Sequence, residues 1–386
     1  MRMKRFLIVL LLIGLVLTGC GSNQKGGVTG KIYDNGTGDL ITSRVIMEIE
    51  GDTIFVEGGE YLFTDLSVGG KMLKVSAEGY GARDIPVEIE ADKTVVKDIY
   101  LTRDIVFSIE EVLVPGAASF PTGEDDSEVC TDVDYPYYMG KYFVTYSLWK
   151  EVYDWATDEV RGSERYYFEY AGVKGNDGGV DKTGEHPVTG INWFCAAVWC
   201  NAMTEYYNYR NGTNLAPVYT YRNRIVRDAR NNQNETLERA VAEEGAKGFR
   251  LPTSMEWELA ARWQDGVNWT PGGHVSGDTS GPCYSTDPTE QLSTVFSDYA
   301  WYVDNCGGGT NPVGTKEPNQ LGLYDMCGNV YDICFKEYSE IAGRMVGVTR
   351  GACWRMASRY LRIDYVTHPY LSCPHDASGF RLVRYK

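Results

Sequence analysis

The residues best equipped for chemistry crowd toward the end of the chain, in the run RGACWRMASRYLRIDYVTHPYLSCPHDASGFRLVR from Arg350 to Arg384. Inside it stand Trp354, Arg355, Arg359, Tyr360, Arg362, Asp364, Tyr365, His368 and Tyr370, followed by His375 and Asp376. Guanidinium groups and amphipathic rings at this density supply the strongest contacts of recognition surfaces. The run has neither the helical nor the strand period of apolar residues, so it reads as a loop between anchors, where binding or catalysis tends to sit. The four histidines, His186, His274, His368 and His375, are scattered, and His368 and His375 read as hydrogen-bonding loop residues. No Gly-x-Ser-x-Gly elbow, Walker loop or dinucleotide fingerprint is present. Paired acids for glycoside hydrolysis stay open, because any two loops can meet in a fold.

The leader bears on the cysteine chemistry. Arg2, Lys4 and Arg5 precede the apolar run Phe6 to Leu17, which closes on Leu17-Thr18-Gly19-Cys20. A basic start, an apolar stretch and a small-residue site read as a secretory signal, too short for a lasting membrane span. Its ending resembles the lipobox of bacterial lipoproteins, which implies cleavage before Cys20, lipidation of Cys20 and a cell-envelope location; Gly21 and Ser22 lean toward the outer membrane. Nine cysteines remain, at 130, 195, 200, 283, 306, 327, 334, 353 and 373. An exported chain permits disulfides, yet an odd number leaves one thiol over. Cys195 and Cys200 fall on different faces of a helix and so do not pair with each other.

A net charge of -16 excludes a nucleic-acid partner by its sign, since phosphate binding needs a basic face. The length of 386 residues points to two domains. After a polar tether over 20–27, the runs VTGKIYD, VIMEIEG, TIFVEGGEYLFTDL, KMLKVSAEGY, IPVEIE and VVKDIYL predict a small antiparallel sandwich of six or seven strands over 28–102. Val28 to Ile32, Gly59 to Phe63 and Ala77 to Tyr80 resemble the carboxypeptidase-regulatory-like and PEGA modules, which implies a spacer. From 108 onward the pattern changes. Tyr135 to Thr145 reads as a strand and Ser147 onward as a helix through Trp149, Val152 and Trp155. A second helix carries Ala196, Cys200 and Met203, and Arg222 to Glu244 reads as an insertion.

Gly248-Phe249-Arg250-Leu251-Pro252-Thr253-Ser254-Met255-Glu256-Trp257 opens a third helix, capped by Thr253 or Ser254 with Glu256 in its first turn. This run joins Asn311-Pro312-Val313-Gly314, the block Leu321 to Asp332, Arg350-Gly351 and Gly379-Phe380-Arg381-Leu382. Together the blocks, spread over 108–386, resemble the formylglycine-generating enzyme (sulfatase-modifying factor) family. The resemblance implies an α+β fold related to C-type lectins, with its functional groove near the C-terminus.

It also implies calcium, through side-chain oxygens of Asp325 and Asp332 with carbonyls of Gly328 and Val330. A second set would use Asn305 and the carbonyl of Gly307. Hard calcium suits such oxygens. The family has Trp-Glu where this chain has Tyr331-Asp332. The family's oxidase holds copper(I) on a cysteine pair, and counted from Arg350-Gly351 those positions fall on Met356 and Leu361. Neither forms a thiolate, so copper and the oxidase reaction are not expected. A related branch uses iron on a His-x3-His-x-Glu run, which this chain lacks. Three readings follow, the plainest being a structural envelope protein whose loop is a solvated lid. In the first of the other two, a lipoprotein binds a protein or glycan through its C-terminal loop, as in the variable, retroelement-diversified lipoproteins that share this domain. In the second, a modifying oxidase has relocated its metal ligands to Cys353 and Met356.

Overall fold

The structure is a computed structural model that describes residues 24–36, 38–77, 79–102, 107–123, 126–230, 240–242, 245–279, 295–339 and 344–386. The leader, Cys20, Cys283 and part of the 222–244 insertion lie outside the described residues. Two compact units part between Ile105 and Val106.

The first unit is a sandwich of two sheets. One runs in the order Glu60–Ser67, Lys25–Asp34, Thr94–Val96, with Ile99–Leu101 also on Lys25–Asp34; the other runs Asp52–Val56, Val45–Ile49, Gly69–Ala77, Tyr80–Ile89. Inward residues alternate along the strands, and Val28, Ile32, Val45, Met47, Leu73, Val75, Ile99 and Leu101 are sealed between the sheets. The sequence reading differs in two respects. The described residues form eight strands, because Gly58 and Gly59, both at positive φ, break one predicted run, and the last run also divides. Nor is the sandwich all antiparallel: Lys25–Asp34 pairs in parallel with Thr94–Val96 and Ile99–Leu101. A parallel pair needs a long crossover, and the whole second sheet lies between these strands in sequence.

The second unit packs the helices Tyr146–Thr157 and Trp193–Asn211 on each other. Trp149 and Trp199 stack at 5.4 Å, and Phe380 meets both edge-on. Asn192 caps the second helix through its side chain, and the residues from Trp193 to Thr204 are buried on every face. Trp155, expected on the buried face, is half-exposed under the Arg161 guanidinium, and Ala156 takes the inner place. Only Tyr137–Gly140 of the predicted strand over 135–145 is regular. It joins Val383–Tyr385 and Glu111–Val114, so both ends of the unit meet in one sheet.

The helix Ser254–Arg262 begins with a reciprocal cap between Thr253 and Glu256. Around it lie two buried ionic nodes. Arg250 grips Glu256 through two bonds of 2.7 and 2.6 Å, while Glu258 holds both Arg262 and Arg350 at 2.7 Å. Planar guanidinium forks meet several acceptors at once, which offsets the cost of burying these cations.

Candidate functional site: a loop held at buried points

A four-stranded sheet in the order Val366–Thr367, Arg344–Arg350, Tyr331–Ser339, Ser378–Gly379 frames the C-terminal loop. At its entry Gly351 lies at φ 80°, and a Cβ there would come within 2.4 Å of the Met326 carbonyl. Ala352 follows at φ 60°, a left-handed conformation that a side chain adopts at a cost. The Gly328 amide donates to Gly351 O at 2.6 Å, and the Trp354 amide donates to Asn329 O at 2.8 Å. Asn329, itself left-handed, ties both backbone groups of Asn311 with its side-chain amide. The three sequence blocks at 311, 328 and 350 thus form one scaffold.

Beyond that turn the loop is nailed down by Leu361, Ile363 and Leu371, all buried. Arg350 donates to the Ile363 carbonyl at 3.3 Å, and the Ile363 and Asp364 amides donate to the His274 and Gly272 carbonyls. Between the nails, Arg355, Arg359, His368 and Tyr370 are exposed, and Trp354, Tyr360 and Tyr365 are half-buried. The Arg355 guanidinium lies 4.9 Å from the Trp354 ring centre, Arg359 lies 4.8 Å from that of Tyr360, and the Tyr360 and Tyr365 rings are 5.3 Å apart. The result is a ridge of cations seated on rings.

Two expected contact residues point elsewhere. Arg362 and Asp364 pair at 2.9 Å with the Asp364 side chain 2% exposed, so this pair braces the loop from within and Asp364 leaves the contact surface. Conversely, Asp376 reaches back to ion-pair with Arg355, and Tyr331 packs against His375. The sequence placed Asp376 in the run but not its pairing with Arg355, and gave no sign of Tyr331, because partners 21 or more residues apart follow no periodicity. His375 accepts the Ala377 amide at Nδ1, and burial, then Arg355, lowers its pKa. The indole N–H of Trp354 is buried and has no acceptor among the described residues.

All eight cysteines among the described residues are free thiols, and Cys373 is the exposed one. Burial pushes the Cys353 thiol up to about 11, beside the Tyr331 hydroxyl. A thiol so raised is a poor nucleophile and a poor metal ligand at neutral pH. Met356 is half-buried against the core and Leu361 fully buried. No cluster of three or more metal-binding side chains occurs among the described residues.

The expected calcium positions divide. Both Asp332 oxygens are engaged: Arg381 takes Oδ2 at 2.5 Å, Trp257 donates to Oδ2 at 2.9 Å, and the Arg381 amide donates to Oδ1 at 3.1 Å. That carboxylate does not fit a calcium shell, since one cation already saturates it. The Asn305 side chain is likewise spent on Tyr302 N and Ala300 O. Asp325 differs. Its Oδ2 accepts the Gly314 amide at 2.8 Å, while Oδ1 is buried and makes no hydrogen bond among the described residues. Burial raises its pKa to about 6, against the pull of the Gly314 amide and Arg381.

This geometry defines an α+β domain of the C-type-lectin-like class, with a long C-terminal loop framed by a short sheet. Residues 106–386 match the sulfatase-modifying factor enzyme 1-like domain, and the chain belongs to that family. Chaperone protein LppX of Paenibacillus barcinonensis is 29% identical over 280 residues, covering 71% of this chain and 89% of that protein. Among solved structures, CarF matches with a TM-score of 0.53 at 25% identity, over 72% of this chain and 99% of its own. Treponema denticola variable protein 1 matches with a TM-score of 0.53 at 25% identity, over 73% and 98%.

Proposed function

We propose that this protein is an envelope lipoprotein, anchored through Cys20 and displayed at the outer membrane, whose sulfatase-modifying-factor-like domain binds a ligand without converting it. The observation that carries the reading is the loop itself: fixed at buried points, it leaves Arg355, Arg359, His368 and Tyr370 exposed and Tyr360 and Tyr365 half-buried. A preordered ridge loses little entropy on binding. Met356 and Leu361, where the family's oxidase has thiols, speak against the oxidase alternative, as does the raised Cys353 thiol. The names of two similar proteins, a chaperone protein and a variable protein, fit binding better than catalysis.

A protein and glycan array probed with the chain from Ser22 onward tests this. Tyr365→Ala and Arg359→Ala are each expected to weaken a captured ligand at least about tenfold, as aromatic and arginine hot spots do. Binding that ignores both changes would make the loop a passive cover. The same preparation, loaded with copper(I) and given a cysteine peptide, is expected to consume no oxygen; consumption abolished by Cys353→Ser would restore the oxidase.

Structural calcium belongs to the same proposal, narrowed to Asp325 with carbonyls of Gly328 and Val330. Without calcium, Asp325 holds its proton more tightly folded than unfolded, so its contribution is greatest below the ordinary aspartate value and is lost as pH rises through about 6. Two pH units correspond to about 3 kcal/mol. In chelator, Asp325→Asn is therefore expected to gain on the parent between pH 4.5 and 7.5 in urea unfolding. Added calcium should raise the parent's melting temperature and leave the variant unmoved.

A further inference from the structure

We infer that His375, Asp376 and Arg355 form an acid-sensitive clasp on the C-terminal loop: a proton added to the His375 ring draws the Asp376 carboxylate away from Arg355 and loosens the turn that closes the loop. The inference concerns the loop itself and needs no ligand. The clasp joins the two ends of the loop, since Arg355 follows the entry turn and Asp376 stands just before the strand Ser378–Gly379. The main chain of His375 is fixed, its amide donating to Ile191 O at 3.3 Å and its carbonyl accepting the Gly190 amide at 3.0 Å. What answers a proton is the ring and the carboxylate beside it.

Nδ1 of the ring accepts the Ala377 amide at 3.2 Å and lies 3.2 Å from Ser378 Oγ, which puts the proton of the neutral imidazole on Nε2. A second proton must go to Nδ1, where it meets the Ala377 N–H. Two donors cannot share one bond, so the Ala377 contact is lost. Asp376 Oδ1 lies 3.9 Å from Nδ1, and it is the same oxygen that Arg355 holds. The Arg355 and Asp376 side chains are 40% and 52% exposed, and an ion pair so open to water is weakly held, so a new cation beside it competes for the carboxylate.

The groups around the ring set the direction. Arg355 and Asp376 are the charges that act on it, the neutral Tyr331 ring packs 6.1 Å away, and Tyr370 and Cys373 line the cavity beside it, which holds no carboxylate and no second histidine. Burial, then Arg355, opposes protonation, while Asp376 favours it, leaving the pKa below the ordinary histidine value of 6.5. The unfolded chain therefore takes the proton more readily. The contribution of the clasp is complete above 6.5 and is lost as pH falls through the lowered value.

The test needs a local readout, because Asp325 titrates in the same range. In the chain from Ser22 onward, nitrogen NMR of the histidine rings at about pH 7.5 is expected to show His375 protonated at Nε2. After correction for intrinsic rates, protection of the Ala377 amide against hydrogen exchange should fall at least about fivefold between pH 7.5 and 5, while the helix Trp193–Asn211 stays unchanged. His375→Asn keeps an acceptor near the Nδ1 position but cannot take a proton, so its Ala377 protection should be equal at the two pH values. Arg355→Gln should raise the His375 midpoint and Asp376→Asn should lower it. All three sites are exposed or half-buried, and unchanged circular dichroism would show intact folds. A ring protonated at Nδ1, an acid loss that survives His375→Asn, or a midpoint indifferent to both neighbours would overturn the inference.

Discussion

Arg381→Ala is expected to lower the stability of the 106–386 unit by about 3–5 kcal/mol, the cost of leaving a buried charge without its partner. Arg381 is fully buried. It binds Asp332 and donates to the carbonyls of Gly140, Tyr324 and Asp325, with its guanidinium 4.6 Å from the Phe143 ring centre. One side chain thus ties the terminal strand to the 325 block and to the start of the domain. Its removal leaves the Asp332 carboxylate, 1% exposed, without its cation. Urea unfolding followed by tryptophan fluorescence reads the loss. Asp332→Leu added to Arg381→Met should recover much of it, since the deficit is unpaired charge rather than lost volume. A single variant within 1 kcal/mol of the parent would mean that the node is not the structural centre described above.

Arg350→Ala is expected to act on the loop as well as on the fold. Arg350 receives no help from solvent: it bonds Ser254 Oγ at 2.9 Å, Glu258 at 2.7 Å and the Ile363 carbonyl at 3.3 Å. Glu258 keeps Arg262 and Thr122 as partners after the change, so the stability loss should be smaller than at Arg381, about 2–3 kcal/mol. The more telling effect is local. The amides of Ile363 and Asp364, which donate to His274 and Gly272 carbonyls, should exchange with solvent faster than those of the helix Trp193–Asn211. Ligand affinity should fall with loop order even though Arg350 touches no ligand. Arg350→Lys should not rescue it, because an ammonium cannot span the same acceptors. Exchange that speeds equally throughout the unit would indicate global destabilisation alone.

The capping of Ser254–Arg262 by Thr253 and Glu256 was readable, since caps are local and follow from neighbouring residue types. So was the burial of Ala196, Cys200 and Met203, which helical spacing places on one face. Gly379-Phe380-Arg381-Leu382 could be recognised as a family block. Its division of labour could not: Phe380 joins the tryptophan stack while Arg381 turns into the Asp332 node. Asp332 looked like a metal ligand because a carboxylate beside a Gly-Asn turn suits calcium. Only the fold brings a cation 49 residues away onto the same oxygens.

The amino-acid sequence alone determined the family blocks, the helix caps, the alternating strands of the sandwich and the cationic, aromatic content of the last loop. These depend on residue type and on spacing over a few positions, where covalent geometry already limits what neighbours can do. The tertiary structure decided which charges are spent and which are offered: Asp332 to Arg381, Asp364 to Arg362, Asp376 to Arg355, and Asp325 with one oxygen unclaimed. The physical reason is that an ion pair falls off steeply with separation and depends on burial. Its fate is fixed by where the whole chain brings its partner, not by the residues beside it.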